Sequence, residues 1–222
     1  MNPNNVNLEN LPLDYSFIPA VNKGMTDGSR WMLLLHGRGD SKASYEILAK
    51  EINVTGVNFL ALNAPFSMSM GFMEGFSWYD LHHDKNEAAY LKSLHLLKQC
   101  IQYLDQQGVT AEDLFILGFS QGGRMALDIL HHLDKPLAGV MALSPRMSEF
   151  HELEKAPTAV KATPTYICHG LQDSIIPHKD TKREAMALKK VNPSLSFKSY
   201  DFGHEIDIME IIELRDWLNE LI

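Results

Sequence analysis

Apolar residues gather along the chain in short runs at 31–35, 57–62, 114–117, 139–143 and 165–168, with a more mixed run at 195–200. Near-continuous runs of this length suit strands buried on both faces. Between them, apolar residues recur at helical spacing over 43–52, 88–104, 124–133, 181–191 and 206–221. Strands alternating with helices predict βαβ units, hence an α/β protein with a mainly parallel central sheet and helices on both faces. In such sheets the chemistry collects beyond the carboxyl ends of the strands. The stretch 15–18, outside this alternation, predicts an antiparallel edge strand. A length of 222 residues suits a single domain over 1–222.

Composition narrows the classes. Hydrophobic residues make up 45% and charged residues 22%, the ordinary proportions of a globular chain. A formal net charge of -8 argues against nucleic-acid partners and against docking on anionic membranes, both of which need basic patches. The start of the sequence carries neither a basic nor an apolar leader pattern, and no apolar run approaches membrane-spanning length, so a cytoplasmic protein without a membrane span is expected. Cys100 falls in a helical pattern and Cys168 in an apolar strand. Both read as small buried hydrophobes without metal spacing, and a disulfide between them stays open.

The most specific local signal is Gly118-Phe119-Ser120-Gln121-Gly122-Gly123, directly after the apolar run ending at Leu117. It has the form of a nucleophile elbow, G-x-S-x-G, in which a sharp strand-to-helix turn exposes the serine hydroxyl and glycines avoid collisions with neighbouring backbone. The other reading is a glycine-rich turn whose Ser120 caps the following helix. In an elbow, the backbone N–H of Gln121 would open the helix and point at a developing oxyanion.

A serine nucleophile needs a histidine base, and the base needs a carboxylate to fix its tautomer. Hydrolases built on this elbow carry the three in the order Ser, Asp or Glu, His. Asp173 is the only carboxylate in the loop 169–177 that follows one strand, and His204 lies in the loop after the last. Asp201 is the lesser candidate for the carboxylate. His36 and His169, each before a glycine at a strand end, compete weakly as bases and read better as loop-packing residues. The pairs His82-His83 and His131-His132 complete no zinc ligand set, because adjacent helical residues do not face one site. Asp40 and Asp80 suit loop-holding hydrogen bonds. A second oxyanion donor is expected from the loop 36–41, where glycines flank the backbone N–H of Arg38. The Arg38 side chain could reach solvent, Asp80 or a substrate carboxylate.

With these residues in place, the chain resembles the phospholipase/carboxylesterase family of α/β-hydrolases, which includes acyl-protein thioesterases and small bacterial carboxylesterases. The resemblance runs nearly end to end through Leu35-His36-Gly37-Arg38-Gly39-Asp40, Asn63-Ala64-Pro65, Ser77-Trp78-Tyr79-Asp80, the elbow, His169-Gly170-Leu171-Gln172-Asp173 and Gly203-His204. It implies an α/β-hydrolase fold, a triad of Ser120, Asp173 and His204, and an oxyanion hole from the amides of Arg38 and Gln121. Family members commonly carry leucine where this chain has Arg38, a departure that leaves the amide's role intact and changes the pocket wall.

The Met- and Phe-rich segment 66–77 suits an acyl-binding flap or, equally, a satellite core under a loop. Trp78, Phe72 and Met73 are the substrate-binding candidates, Trp78 because the resemblance places it near the site. The expected function is a serine carboxylesterase acting on short or medium acyl esters through an acyl-enzyme, with no metal or organic cofactor. Acyl-protein thioesterase or lysophospholipase activity keeps the same residues, and a catalytically silent binding protein is the distant rival. Small-molecule acyl esters or acylated substrates are the expected partners.

Overall fold

The computed structural model describes residues 6–21, 30–71, 73–79, 87–148 and 153–222. Its strands are β1 (Tyr15–Ile18), β2 (Arg30–Leu35), β3 (Val57–Leu62), β4 (Phe66–Met70), β5 (Met73–Ser77), β6 (Leu114–Phe119), β7 (Gly139–Leu143), β8 (Thr165–Gly170) and β9 (Leu195–Tyr200). Its helices are α1 (Lys42–Ile52), α2 (Glu87–Gln106), α3 (Gln121–Asp128), α4 (Thr158–Ala162), α5 (His178–Lys189) and α6 (Ile208–Asn219). Seven strands form one sheet in the order β1-β3-β2-β6-β7-β8-β9. β1 pairs antiparallel with β3 at the edge, as its position outside the βα alternation predicts, and every other pairing is parallel.

Side chains alternate across this sheet with the two-residue period of a strand. In β2, Met32 and Leu34 face Tyr45, Leu48 and Ile52 of α1 and Leu214 and Leu218 of α6. Leu33 and Leu35 face the opposite core, built with Leu97 and Leu104 of α2, Met125 of α3 and Leu188 of α5. Burying each such side chain contributes about 1.5–3 kcal/mol, so strands apolar on both faces are pinned in register from two sides. This is why the unbroken apolar runs become the central strands.

Within the segment 66–77, β4 and β5 pair with each other as a separate two-stranded antiparallel hairpin. An isolated bridge between Asp40 and Phe76 ties this hairpin to the loop after β2. The two cysteines are both buried free thiols. Among the described residues, no helix is long and apolar enough to cross a membrane.

Candidate active site

Ser120 sits between β6 and α3 with φ 54° and ψ -112°, a backbone conformation that non-glycine residues rarely adopt. Bonds on both sides hold it there. The Ser120 N–H donates to the Leu143 carbonyl of β7 (2.9 Å), and the Ser120 carbonyl accepts from Arg124 N–H (3.1 Å). The glycines around it are required by space: a Cβ on Gly118 would lie 2.1 Å from the Gly122 carbonyl oxygen, and one on Gly122 would lie 2.0 Å from that of Leu35. No side chain fits either gap. Strand β6, the turn and the first turn of α3 are packed backbone to backbone, and the hydroxyl is left outside.

Ser120 Oγ lies 2.9 Å from His204 Nε2, and His204 Nδ1 lies 2.6 Å from Asp173 Oδ2. The carboxylate can only accept from Nδ1–H, which leaves Nε2 bare to accept the serine proton. The structure therefore brings Ser120, Asp173 and His204 into one hydrogen-bonded line from the ends of three strands. Two contacts join the loops carrying the last two residues. Leu171 N–H donates to Tyr200 O and Gln172 N–H to Phe202 O, while a Cβ on Gly170 would lie 2.3 Å from the Gly203 carbonyl oxygen.

Asp173 is held by three N–H groups. Ile175 and Ile176 donate their backbone N–H groups to Oδ1 at 2.8 Å each, and His204 donates to Oδ2. His169 Nε2 also lies 3.0 Å from Oδ2, but its hydrogen bond is to the Ile176 carbonyl at 2.8 Å. A carbonyl cannot donate, so Nε2 carries the proton and gives it to that carbonyl. Burial alone would push the Asp173 carboxyl up, but the bonds from Ile176, His204 and Ile175 outweigh it and hold the pKa below the usual carboxylate value. Burial lowers the His169 pKa, and its Nδ1 is buried without a partner, so this ring is neutral. Sequence reasoning placed His169 as loop packing and missed this contact. Its spacing of four residues before Asp173 across a turn was the available signal.

Asp201 does not reach His204. It accepts instead from Gln172 Nε2 (2.7 Å), tying the two loops at their exposed edge. His36 is buried, with Nε2 accepting from Ala64 N–H (3.0 Å) and Nδ1 donating to the Gly37 carbonyl (2.6 Å), so it supports the β2 loop and lies outside the proton path. His131 and His132 close a 3-10 turn after α3. Among the described residues, no three His, Cys, Asp or Glu side chains are grouped to hold a metal ion.

The loop after β2 is fixed beside the serine. A Cβ on Gly37 would lie 3.6 Å from Ser120 Cβ. Gly39 N–H donates to Phe76 O (2.8 Å), Phe76 N–H donates to Asp40 O (2.9 Å), and the Asp40 carboxylate accepts from Ser41 N–H and Ser44 Oγ. Arg38 is carried between these anchors. Gln121 N–H, the other expected oxyanion donor, lies in the first turn of α3, where backbone N–H groups have no intrahelical acceptor. Its side chain ties down the neighbouring segment: Oε1 accepts from Trp78 N–H and Ser77 Oγ, and Nε2 donates to Tyr79 O (2.7 Å).

Trp78 requires a correction. Its side chain is 0% exposed, donates Nε1–H to the His36 carbonyl (2.9 Å) and packs beside the His36 ring. It buttresses the loop after β2 from behind and does not line the cavity beside that loop. That cavity, about 290 Å³, is bounded by Arg38, Phe66, Ser67, Met68, Tyr79 and Ala89. Phe72, Asp80, His82 and His83 lie outside the described residues, and Met73 is described only as backbone in β5. A second groove, about 340 Å³, opens on the other side of His204 between α1 and the start of α6, with Tyr45, Ile47, Phe119 and Ile206 in its walls.

Acyl-protein thioesterase 1 of Emericella nidulans is 30% identical over 236 residues, covering 92% of this chain and 94% of its own. A protein of Oryza sativa subsp. japonica named a probable inactive carboxylesterase is 27% identical, covering 87% of this chain and 85% of its own. The crystal structure of the Bacillus cereus carboxylesterase superposes with a TM-score of 0.78 at 16% identity, covering 97% of each chain, and so shares the α/β-hydrolase fold. The phospholipase/carboxylesterase family model matches residues 17–222, and the chain belongs to that family.

Proposed function

We propose that this protein is a serine carboxylesterase that hydrolyses short or medium acyl esters through an acyl-enzyme. The observation that carries the reading is the continuous hydrogen-bonded line from Ser120 Oγ through His204 to a buried, ionised Asp173. His204 Nε2 takes the Ser120 proton as Oγ attacks the acyl carbon, and Asp173 stabilises the resulting imidazolium. The amides of Arg38 and Gln121 donate to the oxyanion. His204 then protonates the departing alcohol, water attacks the acyl carbon with His204 again as base, and the acid leaves with Ser120 restored. Every proton step runs through side chains, so no metal or organic cofactor enters the scheme.

The thioesterase reading keeps these residues and changes only the leaving atom, and the Emericella relative's name favours including it. The name of the rice relative makes a silent binding protein the rival to exclude. A panel of p-nitrophenyl esters, an acyl-cysteine peptide and a lysophospholipid, assayed with wild type and Ser120→Ala, separates all of these. Turnover of the esters that is lost in Ser120→Ala supports the esterase. Turnover confined to the peptide or the lysophospholipid selects the corresponding alternative, and turnover of nothing selects the rival.

A further inference from the structure

We infer that the side chain of Arg38 selects substrates whose acyl part ends in an anion, so that the preferred ester is a short hemiester of a dicarboxylic acid. The inference rests on the esterase reading and names its substrate class. Arg30, Arg124, Arg183 and Arg215 direct their guanidinium groups at protein acceptors, and the exposed Arg146 lies within electrostatic reach of Tyr79. Arg38 is exposed and makes no hydrogen bond or ion pair with any described residue, yet it borders the 290 Å³ cavity and follows Gly37, where a Cβ would lie 3.6 Å from Ser120 Cβ. A cation left free at a reaction site is placed to meet a ligand, because elsewhere on a chain of net charge -8 carboxylates are plentiful.

The rest of the cavity fits such a substrate. Phe66, Met68 and Ala89 supply apolar wall for methylenes, and Ser67 supplies a hydroxyl. Lys92 sits over Phe66, with Nζ 5.3 Å from the ring centroid, and adds a second positive charge on the same side. None of the described lining residues carries a carboxylate. The groove beyond His204 has the opposite character, with Asp40, Glu51 and Glu205 in its walls. An anion is thus favoured on the β4 side of the serine and repelled on the other. At about 30 Å³ per heavy atom, the cavity holds roughly ten atoms, enough for a six-carbon acyl group with a terminal carboxylate.

The test compares p-nitrophenyl hexanoate with mono-p-nitrophenyl adipate, acyl groups of equal length that differ in the terminal charge. Wild type should favour the adipate in kcat/KM by roughly fivefold at low salt, with the advantage shrinking as ionic strength rises. Arg38→Gln should lower the adipate-to-hexanoate ratio by about tenfold, since the carboxylate then loses water against Phe66 and Met68 without a partner. Arg38→Lys should keep most of the ratio. A wild-type preference for hexanoate, or a ratio that Arg38→Gln leaves unchanged, overturns the inference. So does a charge preference seen only with a carboxylate on the alcohol side. Should neither ester be turned over, the esterase reading fails by itself, and calorimetry of the Ser120→Ala protein decides the inference. Monomethyl adipate should bind that protein more tightly than methyl hexanoate and lose the advantage when Arg38→Gln is added. Equal binding of the two esters overturns it.

Discussion

His169 Nε2 and His204 Nδ1 both approach the same oxygen of Asp173, at 3.0 Å and 2.6 Å. His204 hydrogen-bonds to that oxygen, whereas the neutral His169 gives its Nε2–H to the carbonyl of Ile176, whose own N–H holds Asp173 Oδ1, so His169 positions the carboxylate through the loop that carries it.

Removing that bond should therefore change more than the amount of folded protein. In His169→Leu, kcat should fall on the order of tenfold with KM nearly unchanged, because the loop holding Asp173 loosens. His169→Gln, which keeps an N–H donor, should recover part of the loss. A wild-type kcat in folded His169→Leu would reduce His169 to packing.

Asp173 and Asp201 lie at the ends of the same pair of loops but differ in what they reach. Asp173→Asn should lower kcat on the order of 10⁴-fold, the size of effect known for this exchange in the chymotrypsin-type triad. Asp201→Asn disturbs only the bond from Gln172 and should cost less than threefold, or about 0.6 kcal/mol. Steady-state kinetics of the two purified variants checks the ranking, and the reverse order would exchange their roles.

Trp78 should behave as a buried buttress. Trp78→Ala should destabilise the fold by about 3–5 kcal/mol and lower activity by a similar factor at every acyl length. Met68→Ala, on the cavity wall, should instead move the acyl-length optimum with little loss of stability. Denaturant unfolding together with an ester chain-length series distinguishes them. A shifted optimum in Trp78→Ala would return that residue to the acyl site.

Glu210 of α6 is fully buried, accepts from the Cys168 thiol through Oε1 and has no partner for Oε2. Burial pushes its carboxyl up to about 7 from an ordinary 4.5. Because the folded state holds this proton more tightly than the unfolded state, the contribution to stability is full below about pH 4.5 and lost as pH rises through about 7. Glu210→Gln abolishes the titration. The Tm of the variant relative to wild type should therefore climb between pH 5 and pH 8, and a difference that stays flat over this range would mean that Glu210 ionises normally.

Much of this architecture is legible in the sequence, for a physical reason. Strands buried on both faces leave unbroken apolar runs, so β3 and β7 fall where the pattern places them, and the half-exposed edge strand β9 falls on the mixed run at 195–200. The β4–β5 hairpin is less visible, because Phe66-Ser67-Met68-Ser69-Met70 faces no sheet and alternates residues of modest β preference. Helical spacing alone places the start of α3 too late, because Gly122 and Gly123 have no side chains to show it, whereas the elbow motif marks it at Gln121; the closeness of these glycines to β2 and β6 is what makes the turn possible. At the site, chain order suffices to group Ser120, Asp173 and His204. The spacing of His169 four residues before Asp173 hints at their contact, whereas the role of Trp78 depends on which groups the folded loops bring against it, and no local spacing encodes that.

The central claim is that Ser120 Oγ is the covalent nucleophile activated by His204. Intact-mass spectrometry after exposure to a fluorophosphonate tests it most directly, because phosphonylation requires an activated serine and needs no knowledge of the natural substrate. One adduct is expected per wild-type chain, mapped to the peptide containing Ser120, absent in folded Ser120→Ala and slowed by orders of magnitude in His204→Ala. An unlabelled wild-type protein, or an adduct that persists in Ser120→Ala, would contradict it.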